Sequence, residues 1–302
     1  MLHEVIDLLA DPNDGTALHA EDGYRRLVSD SGHSFDVAKQ GYVSLIAGAG
    51  RRHDGDSAQM IRARETFLAG GHFAPFVEAV TAAAIDAIEI PREDSAEPAL
   101  DDESAAAALP GPVIIESGAG TGYYLSHTLD SIAGSRGIGL DISTPAAKQL
   151  AKCHPKAGAV VADVWQRLPI ASNCADVVTV IFAPRNMQEF ARVLKPSGQL
   201  VVLTPDAGHL DELRTPLGIV AVEEDKISRL YEQTAGLLEP QAQPQHVEFR
   251  MRLDRASISA QIGMSPSARH IRPEELEQRL ATLPEVMTVT ARGRIDRFGK
   301  PS

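Results

Sequence analysis

One stretch, residues 113–141, constrains the fold more than any other: V-I-I-E-S-G-A-G-T-G-Y-Y, a helix-length segment, then R-G-I-G-L-D. The apolar run Val113, Ile114, Ile115 reads as a buried strand ending at Glu116. Gly118, Gly120 and Gly122 follow at alternate positions. Glycine there lets the backbone turn sharply and lets a ligand approach where a Cβ would block it. Residues 123–132 then form a helix whose N-terminus faces that ligand. A second apolar strand, residues 138–140, ends in Asp141, 19 positions after Gly122. That offset suits a strand-end carboxylate meeting the two hydroxyls of a bound ribose.

Two nucleotide-type ligands fit this layout. A dinucleotide fingerprint is G-x-G-x-x-G, with pyrophosphate on the helix N-terminus. This chain has E-x-G-x-G-x-G instead. A carboxylate at Glu116 repels a pyrophosphate and suits a cation, such as the amino group of a methionine moiety. S-adenosylmethionine is therefore favoured over NAD. A glycine-rich turn with no ligand is the bland alternative, and repetition of the strand-end pattern further on speaks against it.

Later segments continue the alternation of strand and helix. A helix over residues 144–153 precedes a third strand, residues 159–162, that ends at Asp163. The fourth, residues 177–181, is apolar except for Thr179, as a strand covered on both faces should be. It runs into F-A-P-R, residues 182–185, at the end of the sheet where loops line a crevice. A helix over residues 187–194 leads to a fifth strand, residues 199–203. Residues 287–294 read as a sixth strand, pairing with a last strand to give seven.

The order of these motifs over residues 113–205 resembles the class I S-adenosylmethionine-dependent methyltransferases. A sharper resemblance, to the large-subunit (23S) ribosomal RNA guanine-N1 methyltransferases, is carried by residues 32–45 (G-H-S-F-D-V-A-K-Q-G-Y-V-S-L), 55–75, 116–124 and 181–196. This family includes macrolide-resistance enzymes. The resemblance covers nearly the whole chain and is weakest at residues 85–110 and after about residue 270. It implies an α/β fold: a Rossmann-like seven-stranded sheet with a small N-terminal domain of short β pieces. The module would span residues 1–50 and the methyltransferase domain residues 51–302, with a substrate-facing region at 206–284. It also implies contacts to S-adenosylmethionine from Glu116, Gly118, Ala119, Gly120, Gly122, Tyr123, Tyr124, Asp141 and Ile142. Asp163 would accept from the adenine amino group, and the Val164 backbone would read a ring nitrogen. Trp165 would flank the adenine or cover its rim. Phe73, at the position of an aromatic residue that reaches the cofactor, would pack against it or simply serve the core. Phe182, Ala183, Pro184 and Arg185 would form the floor that orients the acceptor, and the general base stays unassigned. A homodimer is a further implication.

The family's N-terminal module holds zinc with a C-x-x-C pair, a third cysteine and a histidine. At the matching places this chain has Asp11, Asp14, Ser29 and His33. Thiolates supply most of the strength of such a site, so no structural metal is expected. Side-chain packing and turn hydrogen bonds would replace it.

Composition sets the remaining bounds. A net charge of −12 argues against coating nucleic acid by charge alone, but leaves room for a local basic face. Arg250, Arg252, Arg269, His270 and Arg272 form one such basic run, substrate-facing or a solvated edge. Residues 91–112 are acidic and Pro- and Ala-rich, an expected solvated insertion. Two cysteines and no run of about 18 apolar residues point to a cytoplasmic protein with no membrane partner. The reading is thus a methyltransferase acting on 23S rRNA guanine N1. A methyltransferase acting on a small molecule is the first alternative, and a non-catalytic S-adenosylmethionine-binding protein the second.

Overall fold

A computed structural model describes residues 1–47, 54–89, 111–219 and 225–301. The acidic insertion expected at 91–112 falls almost wholly outside them. The chain opens with two 3-10 turns, Leu2–Glu4 and Ile6–Leu8, in place of the short helix that residues 1–9 suggest. Each turn is only three residues long, too short to propagate a helix. A three-stranded antiparallel sheet follows, made of β1 (Leu18–Glu21), β2 (Arg26–Ser29) and β3 (Ser34–Asp36). Strand β4 (Tyr42–Ser44) leaves it and pairs in parallel with a strand of the large sheet.

Helix α1 (Ala58–Ala69) begins at Ser57, whose hydroxyl accepts from the Met60 N–H at 3.2 Å. Helix α2 (Ala74–Glu89) follows after one tight turn. The large sheet is then laid down by β5 (Val113–Ser117), α3 (Tyr123–Ser131), β6 (Arg136–Asp141), α4 (Thr144–Leu150), β7 (Ala157–Val161), β8 (Ala175–Ile181), α5 (Met187–Val193) and β9 (Leu194–Pro205). The remainder is α6 (Asp211–Leu217), α7 (Lys226–Thr234), β10 (Glu239–Pro240), β11 (Gln245–Asp254), α8 (Arg255–Gly263), α9 (Pro273–Ala281) and β12 (Val286–Gly299).

Strand order is β10-β12-β9-β8-β5-β6-β7-β4, with β11 also on β12. Setting aside the two-residue β10 and the added β4 leaves the expected seven strands. Strands β9, β8, β5, β6 and β7 run parallel, while β12 is antiparallel to β9 and β11. The sixth strand is 14 residues long, and its outer partner is the upstream β11 rather than a final C-terminal strand. Alternation of apolar residues in residues 247–253 is what makes β11 fit there, with Met251 and Leu253 buried and Arg250 and Arg252 exposed.

Side chains alternate between the two faces of the sheet. Ile114, Val177 and Val201 join one core with α2, α3 and α8. Ile115, Val178 and Val202 join the other with α5 and with Val5, Leu27 and Val43 of the N-terminal segment. The N-terminal sheet thus shares a core with the large sheet. No single helix among the described residues is long and apolar enough to cross a membrane. The bent pair α1–α2 passes on length and composition alone, and Phe67, Phe76 and Val80 of that pair are in the core.

The four positions that replace the zinc ligands come together at the base of β2. His33 Nδ1 lies 2.7 Å from Asp11 Oδ2, and Ser29 Oγ accepts from the His33 N–H at 2.9 Å. Asp11 Oδ1 also accepts from the Asn13 backbone N–H and side-chain amide, at 2.8 and 3.0 Å. Burial alone would raise the Asp11 carboxyl, but hydrogen bonds from Asn13, Ser29 and His33 outweigh it and hold it low. Donor atoms of Asp11, Asp14 and His33 lie within 4.8 Å of one another. Two carboxylates and one imidazole, with no thiolate, are a poor match to a structural zinc site. The Asp11 carboxylate is already occupied by three donors.

Candidate active site

The loop after β5 folds as it does because all three glycines take left-handed backbone angles: φ is +73° at Gly118, +55° at Gly120 and +78° at Gly122. Its turn is fixed by the N–H groups of Gly118 and Ala119, which both donate to the Leu140 carbonyl at 2.8 and 2.9 Å. Asp141, at the end of β6, accepts from the Gly120 N–H and the Ser143 N–H, each at 2.8 Å. Each carboxylate oxygen keeps a lone pair for a ligand. Burial pushes the Asp141 carboxyl above its ordinary value.

Two adjoining cavities open over the C-terminal ends of the parallel strands. The smaller, about 290 Å³, is lined by Asp56, Asp141, Ile142, Asp163, Val164 and Trp165 among others. The larger, about 620 Å³, is lined among others by Phe73, Glu116, Phe182, Arg185, His209 and Lys226. Gly118, Gly120, Phe182, Ala183 and Pro184 are among the residues that line both. Phe182 takes φ +52°, a strained angle for a side chain of its size, at the tip of β8.

The sequence-expected residues divide between these spaces. Ile142, Asp163 and Val164 face the smaller cavity with Asp141, and Asp163 caps the Trp165 N–H at 3.0 Å. Trp165 is half exposed at the rim. Glu116, Ala119, Tyr123, Tyr124 and Phe73 face the larger one. Phe73 stands in a ring cluster with Phe76, Phe182 and His209. Gly122 faces neither cavity: a Cβ there would sit 2.6 Å from Cys153 Sγ, so its role is to let α3 approach α4. Of the basic run, Arg269 reaches the Asp54 carbonyl at 3.1 Å at the smaller cavity, while Arg250 and Arg252 stay on β11.

Electrostatically the site is unfinished. Ten buried side-chain N or O atoms lack a partner among the described residues, and seven belong to cavity-lining residues: Arg64, Glu116, Ser117, Tyr124, Arg185, Thr204 and Gln261. Native interiors pair such atoms, so a ligand with several polar groups fits here. Glu116 is the sharpest case. Burial pushes its carboxyl up to about 8, and only the Leu125 backbone N–H opposes this. Its Oε2 is unpartnered. A cationic group beside it would restore the carboxylate, which suits the ammonium of a methionine moiety. The acids of the smaller cavity suit ribose hydroxyls and an adenine amino group. The residues present fit S-adenosylmethionine.

The larger cavity carries four cations, Arg64, Arg185, Arg214 and Lys226, against one acid, Glu116. Sequence reading does not single out Arg64, Lys226 or Gln261, and His209 enters it only as a member of the 206–284 region. They come from α1, α7, α8 and the loop after β9, and no local motif links them.

A family model described as a methyltransferase domain matches residues 115–202. The chain is 42% identical over 289 residues to a protein of Micromonospora griseorubida named 'Putative 23S rRNA (guanine-N(1)-)-methyltransferase', covering 94% of each. It is 35% identical over 290 residues to the 23S rRNA (guanine(748)-N(1))-methyltransferase of Streptomyces fradiae, covering 96% of each. A Bacillus subtilis (strain 168) protein, YxjB, named likewise without a nucleotide position, is 28% identical over 262 residues and 84% of each chain.

Proposed function

The chain belongs to the 23S rRNA (guanine-N1) methyltransferase family and is an S-adenosylmethionine-dependent methyltransferase, and we propose that it methylates N1 of a guanine in 23S rRNA in the cytoplasm. The observation that carries the acceptor assignment is the larger cavity. In a chain of net charge −12, its lining holds four cations, of which Arg64 and Arg214 are ion-paired to Asp56 and Asp211, beside an aromatic cluster. Cations there suit the phosphates of an RNA strand. Phe73 and Phe182 suit a base taken out of its stack.

Bound S-adenosylmethionine supplies an electrophilic methyl carbon. Glu116 holds the ammonium end, Asp141 the ribose, and Asp163 with Val164 the adenine edge. Phe182, Ala183 and Pro184, common to the lining of both cavities, stand where donor and acceptor meet and set the direction of approach. Alignment of this kind is the main thing such a site contributes to methyl transfer. Arg185 points a buried, unpartnered guanidinium nitrogen at this region, and burial lowers its proton affinity. It serves the guanine O6, which gains charge as N1 loses its proton.

Loss of the zinc thiolates favours a second reading, a small-molecule acceptor. Primer extension on 23S rRNA from a strain lacking the gene separates the two. Reverse transcriptase stops at N1-methylguanine, so the family reading expects one stop lost on deletion and restored by the gene. An unchanged pattern of stops favours the small molecule.

A further inference from the structure

We infer that His209 is the general base that takes the N1 proton of the acceptor guanine. This rests on the guanine-N1 reading above. Its Nδ1 lies 2.7 Å from the Arg292 carbonyl oxygen and 3.1 Å from the Arg292 N–H. The Arg292 carbonyl and N–H both face Nδ1, and we take the ring proton to sit on Nδ1, donating over the shorter contact to the carbonyl. That leaves Nε2 as the bare nitrogen, and it has no hydrogen-bond partner among the described residues. The ring lines the larger cavity, 5.8 Å by ring centroids from Phe182 on the wall shared with the smaller cavity.

Neutral guanine N1 carries a proton and has no free lone pair in the ring plane. Its methylation needs that proton removed. The N1–H electron pair stays on N1 and forms the N–CH3 bond, the donor's C–S pair returns to sulfur, and the proton goes to His209 Nε2. Water takes it from there. Other groups lining the cavity are worse placed. Glu116 lines the same cavity but is taken up by the donor's ammonium, the Tyr123 and Tyr124 phenols are held protonated by burial, and the arginines and Lys226 are already charged. Burial, with Lys226 and Arg292 nearby, keeps His209 neutral and pushes it down to about 4, while the Arg292 carbonyl and Asp211 partly oppose this. Arg64, Glu116, Arg185 and Arg214 are the other charged residues lining the cavity.

The test compares wild type with His209→Ala and His209→Gln in single-turnover methylation of 23S rRNA, with binding of S-adenosylhomocysteine measured alongside. Both variants should lose about 100-fold or more in rate and bind S-adenosylhomocysteine within about threefold of wild type, as His209 is not among the residues that hold the donor. Between about pH 6 and about pH 8 the wild-type rate should stay nearly level, while the variant rates rise about tenfold per unit as solvent replaces the base. Added imidazole should rescue His209→Ala and not His209→Gln. Imidazole 15N spectra of the RNA-free protein should show the proton on Nδ1. Variant rates within threefold of wild type, or a proton on Nε2, would overturn the assignment. A wild-type protein inert on the RNA would overturn the guanine-N1 reading and this inference with it, whatever the 15N spectrum shows.

Discussion

His33 Nδ1 and Asp11 Oδ2 meet at 2.7 Å across 22 residues of chain. The pair closes the turn before β1 onto the turn after β2 by direct hydrogen bonding. Asp11 is fully buried and its carboxyl held low, so its contribution is present above the ordinary carboxylate range and is lost as pH falls through the lowered value. Asp11→Ala should cost about 1–3 kcal/mol, since it leaves the Asn13 and His33 donors without an acceptor. Chelator should leave the melting temperature unchanged, and elemental analysis should find no stoichiometric zinc. A melting temperature that drops on chelation contradicts this.

Glu116 is raised to about 8 in the folded chain, so folding retains a proton that the unfolded chain releases above its ordinary 4.5. Stability of the ligand-free protein should therefore fall as pH rises through that window, and Glu116→Gln should flatten the slope. Binding of the donor needs the carboxylate charged. Calorimetry below pH 8 in buffers of different ionisation enthalpy should show about one proton released per S-adenosylmethionine bound. Glu116→Gln should abolish that release and weaken binding about 10–100-fold.

Gly118 couples the loop to the acceptor wall. Its φ of +73° and a Cβ only 2.5 Å from that of Ala183 leave no room for a side chain. Gly118→Ala should destabilise the protein by about 1–3 kcal/mol, by backbone strain plus displacement of Ala183. It should also lower both donor affinity and transfer rate. Gly122→Ala should mainly cost stability, because its crowding is against Cys153 and Leu150. Thermal melts paired with titration of S-adenosylhomocysteine distinguish the two.

Lys226 is a cation of the larger cavity from a segment remote in sequence from the donor loop. Lys226→Ala should weaken binding of the RNA and reduce the slope of log affinity against log salt by about 1. Donor affinity should be unchanged. Equal RNA affinity at every salt concentration would remove Lys226 from the interface.

The part of the candidate site around Glu116 and Asp141 was readable because it is local. Glu116, the glycine loop and Asp141 lie in one strand–turn–helix–strand unit, where spacing alone fixes their geometry. Asp163 and the residues 182–185 lie at the ends of the next strands, so chain order carried them too. Arg64 apart, the rest of the candidate site was legible only as the broad region 206–284. Arg64 on α1, His209 after β9, Lys226 on α7 and Gln261 on α8 meet only because the helices fold back over one face of the sheet. Nor was the partner of β12. A fourteen-residue strand pairs along nearly its whole length, and alternation in β11 marks a strand without naming its neighbour. The N-terminal module lost its strongest signal with its cysteines, while the hydrogen bonds that replace them depend on Asp11 and His33 being adjacent in space.

Nucleoside mass spectrometry tests the central claim most directly. Purified protein, S-adenosylmethionine and 23S rRNA from a strain lacking the gene should yield about one 1-methylguanosine per RNA molecule. Glu116→Gln should yield far less under the same conditions. No new methylated guanosine, or a methyl group on any other atom of the base, would contradict the account.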